Sequence, residues 1–526
     1  MRPPPQGSLA QRPAPERPPN VLLITTDQQR RDTLGCYGNP VIRTPHLDSL
    51  AAGGIRFDRA YVTNPVCTPS RATLLTGRYP SSHGAYNVGV PLPEDVPTLS
   101  AALDRAGYDT ALIGKAHFQP FGADPARFVE SNRGPKRDRA LWRDWHGPYY
   151  GFRHVELSIG HGPGGTEGHY GEWLRQTAPE VLDLFPRTAA LSPSTVPVGS
   201  WKSAVPVEYH STTWTARRTI ARLEQLASPE RGGGTRPFFI WTSFQDPHHP
   251  FCPPRPYCDL YAPEDVPLPR RRAGELEALA PHFRHAYGGR QGELPYAGGR
   301  LSGTDPGGYA GMTEAHARET IAHYYGMVTL VDDAVGEIQA ALDRLGLARD
   351  TVVVFATDHG ELLGDHGLWL KGPFLYESLI CVPYLWRFPA GFSAGRVVPG
   401  VASYLDFAPT ILDLAGLLPD PHMQGASMLP LLRGDVGAAP RGHAMVELRE
   451  DLEGLQSRTI VTDRHKLTCY PGHDFGELFH LQEDPHELHN RWEDGTHAPI
   501  REALLRRLVG SMADSSRPLI PRVCYA

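Results

Sequence analysis

Cysteine is scarce in this 526-residue chain: seven residues, at 36, 67, 252, 258, 381, 469 and 524. The number is odd, no C-x2-C pair occurs, and Cys252 and Cys258 stand six apart. That spacing suggests neither a disulfide framework nor a zinc ribbon, so a reducing, cytoplasmic setting is expected. No apolar run approaches the roughly 20 residues that cross a bilayer, and no membrane partner is expected. Basic residues are not in excess either. The formal charge is −6, and Arg270, Arg271 and Arg272 form only a short cluster that reads as a solvated loop. A nucleic-acid partner, which needs a basic footprint, is therefore not expected. The first nineteen residues carry some positive charge but no apolar segment, so they read as a disordered Pro-rich tail and not as a secretory signal. No internal repeat stands out. The Gly-rich RGGGTRP at 231–237 has no strand before it and no helix after it, and reads as a loop, not a phosphate or dinucleotide cradle.

What is present is an ordinary globular composition, 40% hydrophobic and 21% charged, in a chain long enough for two domains, one of them large. Apolar runs of strand length alternate with helix-period segments such as TPHLDSLAAGG and EIQAALDRLGLA, the pattern of an α/β domain. Four runs share one further property. NVLLITT leads at once to Asp27 and Gln28, DTALIG to Lys115 and His117, PFFIWTSFQ to Asp246 and His248, and TVVVFAT to Asp358 and His359. Ligands of open parallel sheets bind outside the carboxyl ends of the strands, so these residues describe one site.

Two Gly/Pro/His/Trp-rich stretches, about 121–210 and 253–310, read as long loops walling a substrate pocket. The first holds Trp142, Trp145, Tyr149, Tyr150, His154, His161, His169 and Trp173, which suit stacking on a sugar or aryl ring and ordinary packing equally. From about 420 the pattern changes to short strands (HAMVELRE, RTIVTDRHKLTCY, GELFHLQEDP) and a closing amphipathic helix. This predicts a tail over 1–19, a large α/β domain over 20–419 with a large mixed, mostly parallel sheet flanked by helices, and a smaller C-terminal α+β domain over 420–526 with an antiparallel sheet.

Asp27, Gln28, Asp358 and His359 offer mainly oxygen donors, the set of a hard divalent cation: calcium or magnesium first, with manganese admitted by the imidazole. In NPVCTPSRATLLTG, Cys67 and Arg71 are four apart, too close for the C-x5-R phosphate loop. Pro69 suits the first turn of a helix, which puts residue 67 at or just before a helix N-terminus. With Arg71, Lys115 and Lys371 near, that is a place for an oxyanion such as a sulfate or phosphate ester. A plain thiolate fits poorly beside a hard cation. Position 67 is the nucleophile's place, and the residues alone do not say what fills it.

C-T-P-S-R followed by A-T-L-L-T-G-R resembles the signature of the type I sulfatases of the alkaline phosphatase superfamily, in which this cysteine is oxidised to formylglycine. NVLLITTDQQRRDTLGCYGN, TPHLDSLA, LIGKAHF, DPHHPF, ATDHGELLGDHGLWLKGPFLYE and ELFHLQEDPHE extend the resemblance over roughly residues 20–490. It implies an alkaline phosphatase-like fold and a sulfuric ester hydrolase acting on a small sulfate ester through a covalent sulfo-enzyme. Asp27, Gln28, Asp358, His359 and residue 67 would hold one divalent metal, calcium first. Formylglycine at 67, made by a formylglycine-generating enzyme, would be the nucleophile. Arg71 would hold its hydroxyl, Lys115 and Lys371 the sulfate oxygens, His248 (alone or with Lys371) would protonate the leaving group, and His117 would release sulfate. His249 is an adjacent alternative to His248, Asp246 caps or orients a neighbour, and His83 and Asn87 would either reach the pocket, Asn87 as a substrate-binding group, or serve structure. The D-Q and D-H pairs depart from the D-D and D-N of many sulfatases, and resemble a related branch of phosphonate monoester and phosphodiester hydrolases. Lys115 and His117 together favour the sulfatase reading. A non-catalytic binding protein is the third reading, and a homo-oligomer is a common state for such enzymes.

Overall fold

The computed structural model describes residues 18–228, 236–289, 304 and 307–514. All but the last two residues of the expected tail, most of RGGGTRP and part of the 253–310 stretch lie outside these. Residue 19 is already anchored, its carbonyl accepting the Tyr108 hydroxyl at 3.2 Å.

Among the described residues, nine strands form one mixed sheet: β1 (Asn20–Thr26), β2 (Ile55–Tyr61), β3 (Asp109–Gly114), β4 (His154–Ile159), β5 (Phe238–Ser243), β6 (Thr351–Thr357), β7 (Cys381–Val382), β8 (Leu385–Arg387) and β9 (Arg396–Ser403). The order runs β4-β3-β5-β1-β6-β8-β2-β7, with β9 also paired to β2. The five strands from β4 to β6 are mutually parallel, while β8 and β7 enter antiparallel. The four apolar runs read from the sequence are β3, β5, β1 and β6, which are adjacent. Helices cover both faces of such strands, so apolar side chains are wanted on each, and β5 and β6 are buried along their whole length.

β4 is a difference from the sequence reading, which placed only loop between 121 and 210. HVELSI alternates polar His154, Glu156 and Ser158 with buried Val155, Leu157 and Ile159. Edge position explains the alternation: Arg218 reaches Glu156 at 2.9 Å from one side of the strand. The same stretch carries a helix, Gly168–Thr177. Its aromatic residues pack mainly on one another. Trp142 is buried and donates to the Asn132 carbonyl at 3.1 Å, with Trp145 and His169 at ring distances of 6.2 and 5.2 Å.

EIQAALDRLGLA is the end of a 31-residue helix, Glu314–Arg344, that opens on a Thr313 capping box. TPHLDSLAAGG gives α1 (Pro45–Ala52), whose free N–H groups at His46 and Leu47 donate to Asp332 of that long helix at 3.1 and 2.8 Å. The antiparallel C-terminal sheet has four strands, β10 (Ala444–Arg449), β11 (Gln456–Val461), β12 (His465–Cys469) and β13 (Gly476–His480). One face buries Met445, Ile460, Leu467 and Leu478 against Leu504 and Leu508 of the closing helix Ala498–Asp514. Between the sheets, residues 420–443 lie against the large sheet: Arg396 donates to the Leu431 and Leu432 carbonyls, and Arg441 pairs with Asp406 at 2.5 Å. No helix among the described residues is long and apolar enough to cross a membrane.

Candidate active site

The carboxyl ends of β3, β5, β1 and β6 empty onto one buried cluster. Asp27 and Gln28 follow β1; Gln28 takes a left-handed backbone, φ 65°. Its N–H donates to Asp358 Oδ1 at 3.1 Å, and the Asp358 N–H donates to the Thr26 carbonyl at 3.2 Å, so the two metal-type pairs lock to each other across adjacent strands. β3 ends on Gly114 at φ 103°, where a Cβ would lie 1.9 Å from the Ser243 carbonyl oxygen. Only glycine permits that approach, and it delivers Lys115, whose N–H takes the same carbonyl at 2.9 Å.

Cys67 is the first residue of α2 (Cys67–Thr76), every residue of which is buried. Its Sγ lies 3.1 Å from Lys371 Nζ, 3.2 Å from His359 Nε2 and 3.7 Å from Asp27 Oδ1. One turn on, Arg71 donates from Nε to Asp358 Oδ2 at 2.8 Å and from Nη1 to Ser243 Oγ at 2.7 Å and the Lys115 carbonyl at 3.1 Å. Its Nη2 is buried with no hydrogen-bond partner among the described residues. Lys115 Nζ contacts Asp27 Oδ2 directly and is 2.8 Å from His161 Nε2. Lys371 Nζ reaches Gln28 Oε1 at 3.1 Å, His248 Nε2 at 2.9 Å and His359 Nε2 at 3.3 Å. The His248 Nδ1 faces the His249 carbonyl at 2.5 Å, which makes Nδ1 the N–H and leaves Nε2 to accept from Lys371.

Burial works to raise the Asp358 carboxyl, but Arg71, His359, Lys115 and Lys371 together hold it below the usual range. Burial, with Lys371 among the neighbours, lowers His359 to about 3, and burial beside Lys115 and Lys371 holds His117, His161, His248 and His249 well below an ordinary imidazole. The carboxylates of Asp27 and Asp358 thus face the side chains of Arg71 and Lys371 and that of Lys115, which burial lowers to about 7. Such a site favours an anion even inside a negatively charged protein.

The donors fit a divalent cation. Ligand atoms of Asp27, Cys67, Asp358 and His359 all lie within 4.8 Å of one another, and Gln28 turns its Oε1 to the same Lys371 that touches Cys67. Asp27, Asp358 and His359 turn lone pairs to one place, with the amide oxygen of Gln28 beside them, a donor set suited to a divalent cation.

Of the remaining expected residues, His117 borders the cluster beside Lys115, Arg71 and Lys371, while Asp246, His83 and Asn87 make their contacts outside it. His117 (φ 59°) is buried, stacks on Phe121 at 4.2 Å and keeps Nδ1 without a partner among the described residues. Asp246 accepts from Thr212 Oγ1 at 2.5 Å, an orienting contact. His83 sits behind α2, 3.4 Å from Thr73 Oγ1. Asn87 stands apart from the cluster: its amide donates to the Glu450 carbonyl at 2.9 Å, tying its loop to the C-terminal sheet.

Two members of the cluster were not placed there from the sequence, which gave His161 only as one ring of the long aromatic stretch and Glu361 no role. His161 stacks on His248 at 3.6 Å and reaches Asp27 Oδ2 at 3.1 Å; it follows β4 just as Asp27 follows β1, so an alternating run ending in a histidine was its signal. Glu361, two residues beyond His359, accepts from the Gln28 amide and from two backbone N–H groups.

A mixed, mostly parallel sheet with this carboxylate, histidine and lysine edge is the alkaline phosphatase-like scaffold of metal-dependent ester hydrolases. Residues 19–417 match the sulfatase family model, and the chain belongs to the sulfatase family. Residues 364–514 match the model described as N-sulphoglucosamine sulphohydrolase, C-terminal. An arylsulfatase of Clostridium perfringens is 29% identical over 490 residues, covering 90% of each chain. A multifunctional alkaline phosphatase superfamily protein of Trinickia caryophylli, PehA, is 32% identical, covering 95% of this chain and 96% of that one. Among solved structures, the phosphonate monoester hydrolase of Agrobacterium radiobacter superposes with a TM-score of 0.78 at 29% identity, covering 94% and 96% of the two chains.

Proposed function

We propose that this sulfatase-family enzyme hydrolyses small sulfate monoesters, with formylglycine made from Cys67 as its nucleophile. The observation that carries the reading is the placement of Cys67 Sγ within 3.1–3.7 Å of Lys371, His359 and Asp27 at the start of a buried helix. A hydrated aldehyde there presents two hydroxyl groups in place of one thiol. One hydroxyl loses its proton with help from Asp358 and its oxygen attacks sulfur, while the ester's own oxygen leaves with a proton from His248, whose Nε2 accepts from Lys371 at 2.9 Å. Arg71 holds the hydroxyl of residue 67, and Lys115 and Lys371 hold the sulfate oxygens as their charge grows. His117 Nδ1 then takes the proton of the second hydroxyl, the bond from carbon to the sulfated oxygen breaks, and sulfate leaves the restored aldehyde. A divalent cation held by Asp27, Gln28, Asp358, His359 and residue 67 supplies Lewis acidity that favours the ionised hydroxyl.

A second reading, phosphonate monoester or phosphodiester hydrolysis on the same residues, is favoured by the extent of the likeness to the Agrobacterium enzyme. Parallel kinetics on an aryl sulfate, a phenylphosphonate monoester and a phosphate diester separate the two. The aryl sulfate is expected to give the highest kcat/KM, and a tenfold advantage for either phosphorus ester would replace the sulfatase reading with the second.

Calcium is the cation proposed, because four of the five donors would be oxygens once residue 67 is oxidised. Chelator-treated enzyme given Ca²⁺, Mg²⁺ or Mn²⁺ in separate samples is expected to recover most of its activity with Ca²⁺. Recovery with Mn²⁺ alone would show that His359 governs the choice.

A further inference from the structure

Gln28 is an unusual donor for a metal site because its two ends are chemically opposite. The amide oxygen can bind a cation and the amide nitrogen cannot, and the two ends exchange places by a half-turn of the terminal torsion. An aspartate in the same place would have no such ambiguity. Something must decide which end faces the cluster.

The structure supplies that decision on the far side of the amide. Glu361 is fully buried. Its Oε2 receives the Gln28 Nε2, and its Oε1 receives the backbone N–H groups of Leu363 at 2.9 Å and Leu370 at 2.5 Å. With Oε1 taken by two backbone N–H groups, Oε2 of Glu361 accepts the nitrogen end of Gln28, and the oxygen end turns to the cluster, where Oε1 accepts from Lys371 Nζ at 3.1 Å. His249 cannot do this, since its Nδ1 stands 3.2 Å from Nε2 and 3.3 Å from Oε1 and would suit either orientation. The Leu370 N–H bond adds a second consequence. Leu363 and Leu370 both hold left-handed backbones, at φ 50° and 64°, and Leu370 immediately precedes Lys371. The same carboxylate therefore stabilises the turn from which Lys371 projects.

We infer that Glu361 is a positioning residue that fixes the Gln28 amide with its oxygen toward the cation and, through Leu370, sets the backbone of Lys371. The inference rests on Gln28 as a metal ligand and is independent of which ester is cleaved.

E361Q is the discriminating variant because it is nearly isosteric. Its carbonyl oxygen can keep the Leu363 and Leu370 bonds, but its NH₂ now faces Gln28 and asks for the oxygen end, presenting nitrogen to the cation. Metal affinity of chelator-treated, full-length enzyme is read by titration calorimetry with Ca²⁺ and Mn²⁺ alone, with no ester present. E361Q is expected to bind whichever ion the parent binds about 10–100-fold more weakly. In a Gln28→Asp background, where both ends of the ligand are oxygen, E361Q is expected to cost less than about threefold, since no orientation remains to be fixed. An unchanged affinity in the parent background overturns the inference. So does an equal loss in both backgrounds, or failure of E361Q to fold in both, since each marks a merely structural carboxylate. If E361Q folds only beside Gln28→Asp, the orienting role stands. Loss of sulfatase activity by the parent enzyme leaves these binding outcomes untouched.

Discussion

Cys67→Ala is expected to lower kcat on an aryl sulfate by about 10⁴-fold or more, the scale of removing a nucleophile that acts together with its neighbours. Cys67 touches Lys371, His359 and Asp27, and its replacement leaves a binding site with nothing to attack sulfur. The variant should still fold. It loses one sulfur atom from the first residue of a helix whose remaining residues keep their packing, so thermal unfolding should move little. A Cys67→Ala enzyme with activity within tenfold of the parent would end the reading of residue 67 as nucleophile. Intact-mass analysis of the parent from its native host is the companion measurement, because an unmodified thiol in active enzyme would remove the formylglycine step.

Arg71→Met carries the second large effect, and here stability and activity fall together. Arg71 and Asp358 are fully buried at 2.8 Å, so removing the guanidinium strands a carboxylate in the protein interior. Breaking a buried pair from one side costs about 3–5 kcal/mol. A divalent cation on Asp358 would compensate part of that cost. The unfolding midpoint of the variant should therefore drop much further below the parent's in chelator than in saturating Ca²⁺. An equal drop in both conditions would argue that Asp358 does not bind the ion. Activity should fall by about 10²–10³-fold, as for loss of one donor to developing charge.

The features that could be read from the sequence share a physical origin. β1, β3, β5 and β6 lie inside a covered parallel sheet, so both faces demand apolar side chains, and the first polar residues after each run stand at the ligand edge. Asp27, Lys115, His248 and Asp358 stand just beyond those ends. β4 lacks that signature because, although it is buried, polar residues interrupt its run, Glu156 being held by Arg218 at the sheet edge, and His161 beyond it was missed with it. Glu361 was hidden differently. A carboxylate in a loop is common, and its role depends on two leucine N–H groups whose left-handed backbones no composition announces. Asn87, readable from the sequence as either a pocket or a structural residue, donates to the Glu450 carbonyl just past β10. The long aromatic stretch suited packing and substrate stacking alike, and its packing partners are mostly local rings drawn together by the helix Gly168–Thr177.

The burial of α2 has a consequence in time. In the folded chain all ten residues from Cys67 to Thr76 are out of reach of any other protein, and Cys67 is 1% exposed. The strand that closes over this region comes late: the Glu447 N–H donates to the Thr63 carbonyl at 2.8 Å, Asn64 donates to the Glu447 carbonyl at 2.7 Å, and Ser81 holds the Glu447 carboxylate at 3.0 Å. Residue 447 leaves the ribosome several hundred residues after Cys67. At about 5–20 residues per second, that is an interval on the order of tens of seconds. An enzyme that oxidises Cys67, as proposed above, would have to act before the second sheet docks or on a chain that has unfolded again.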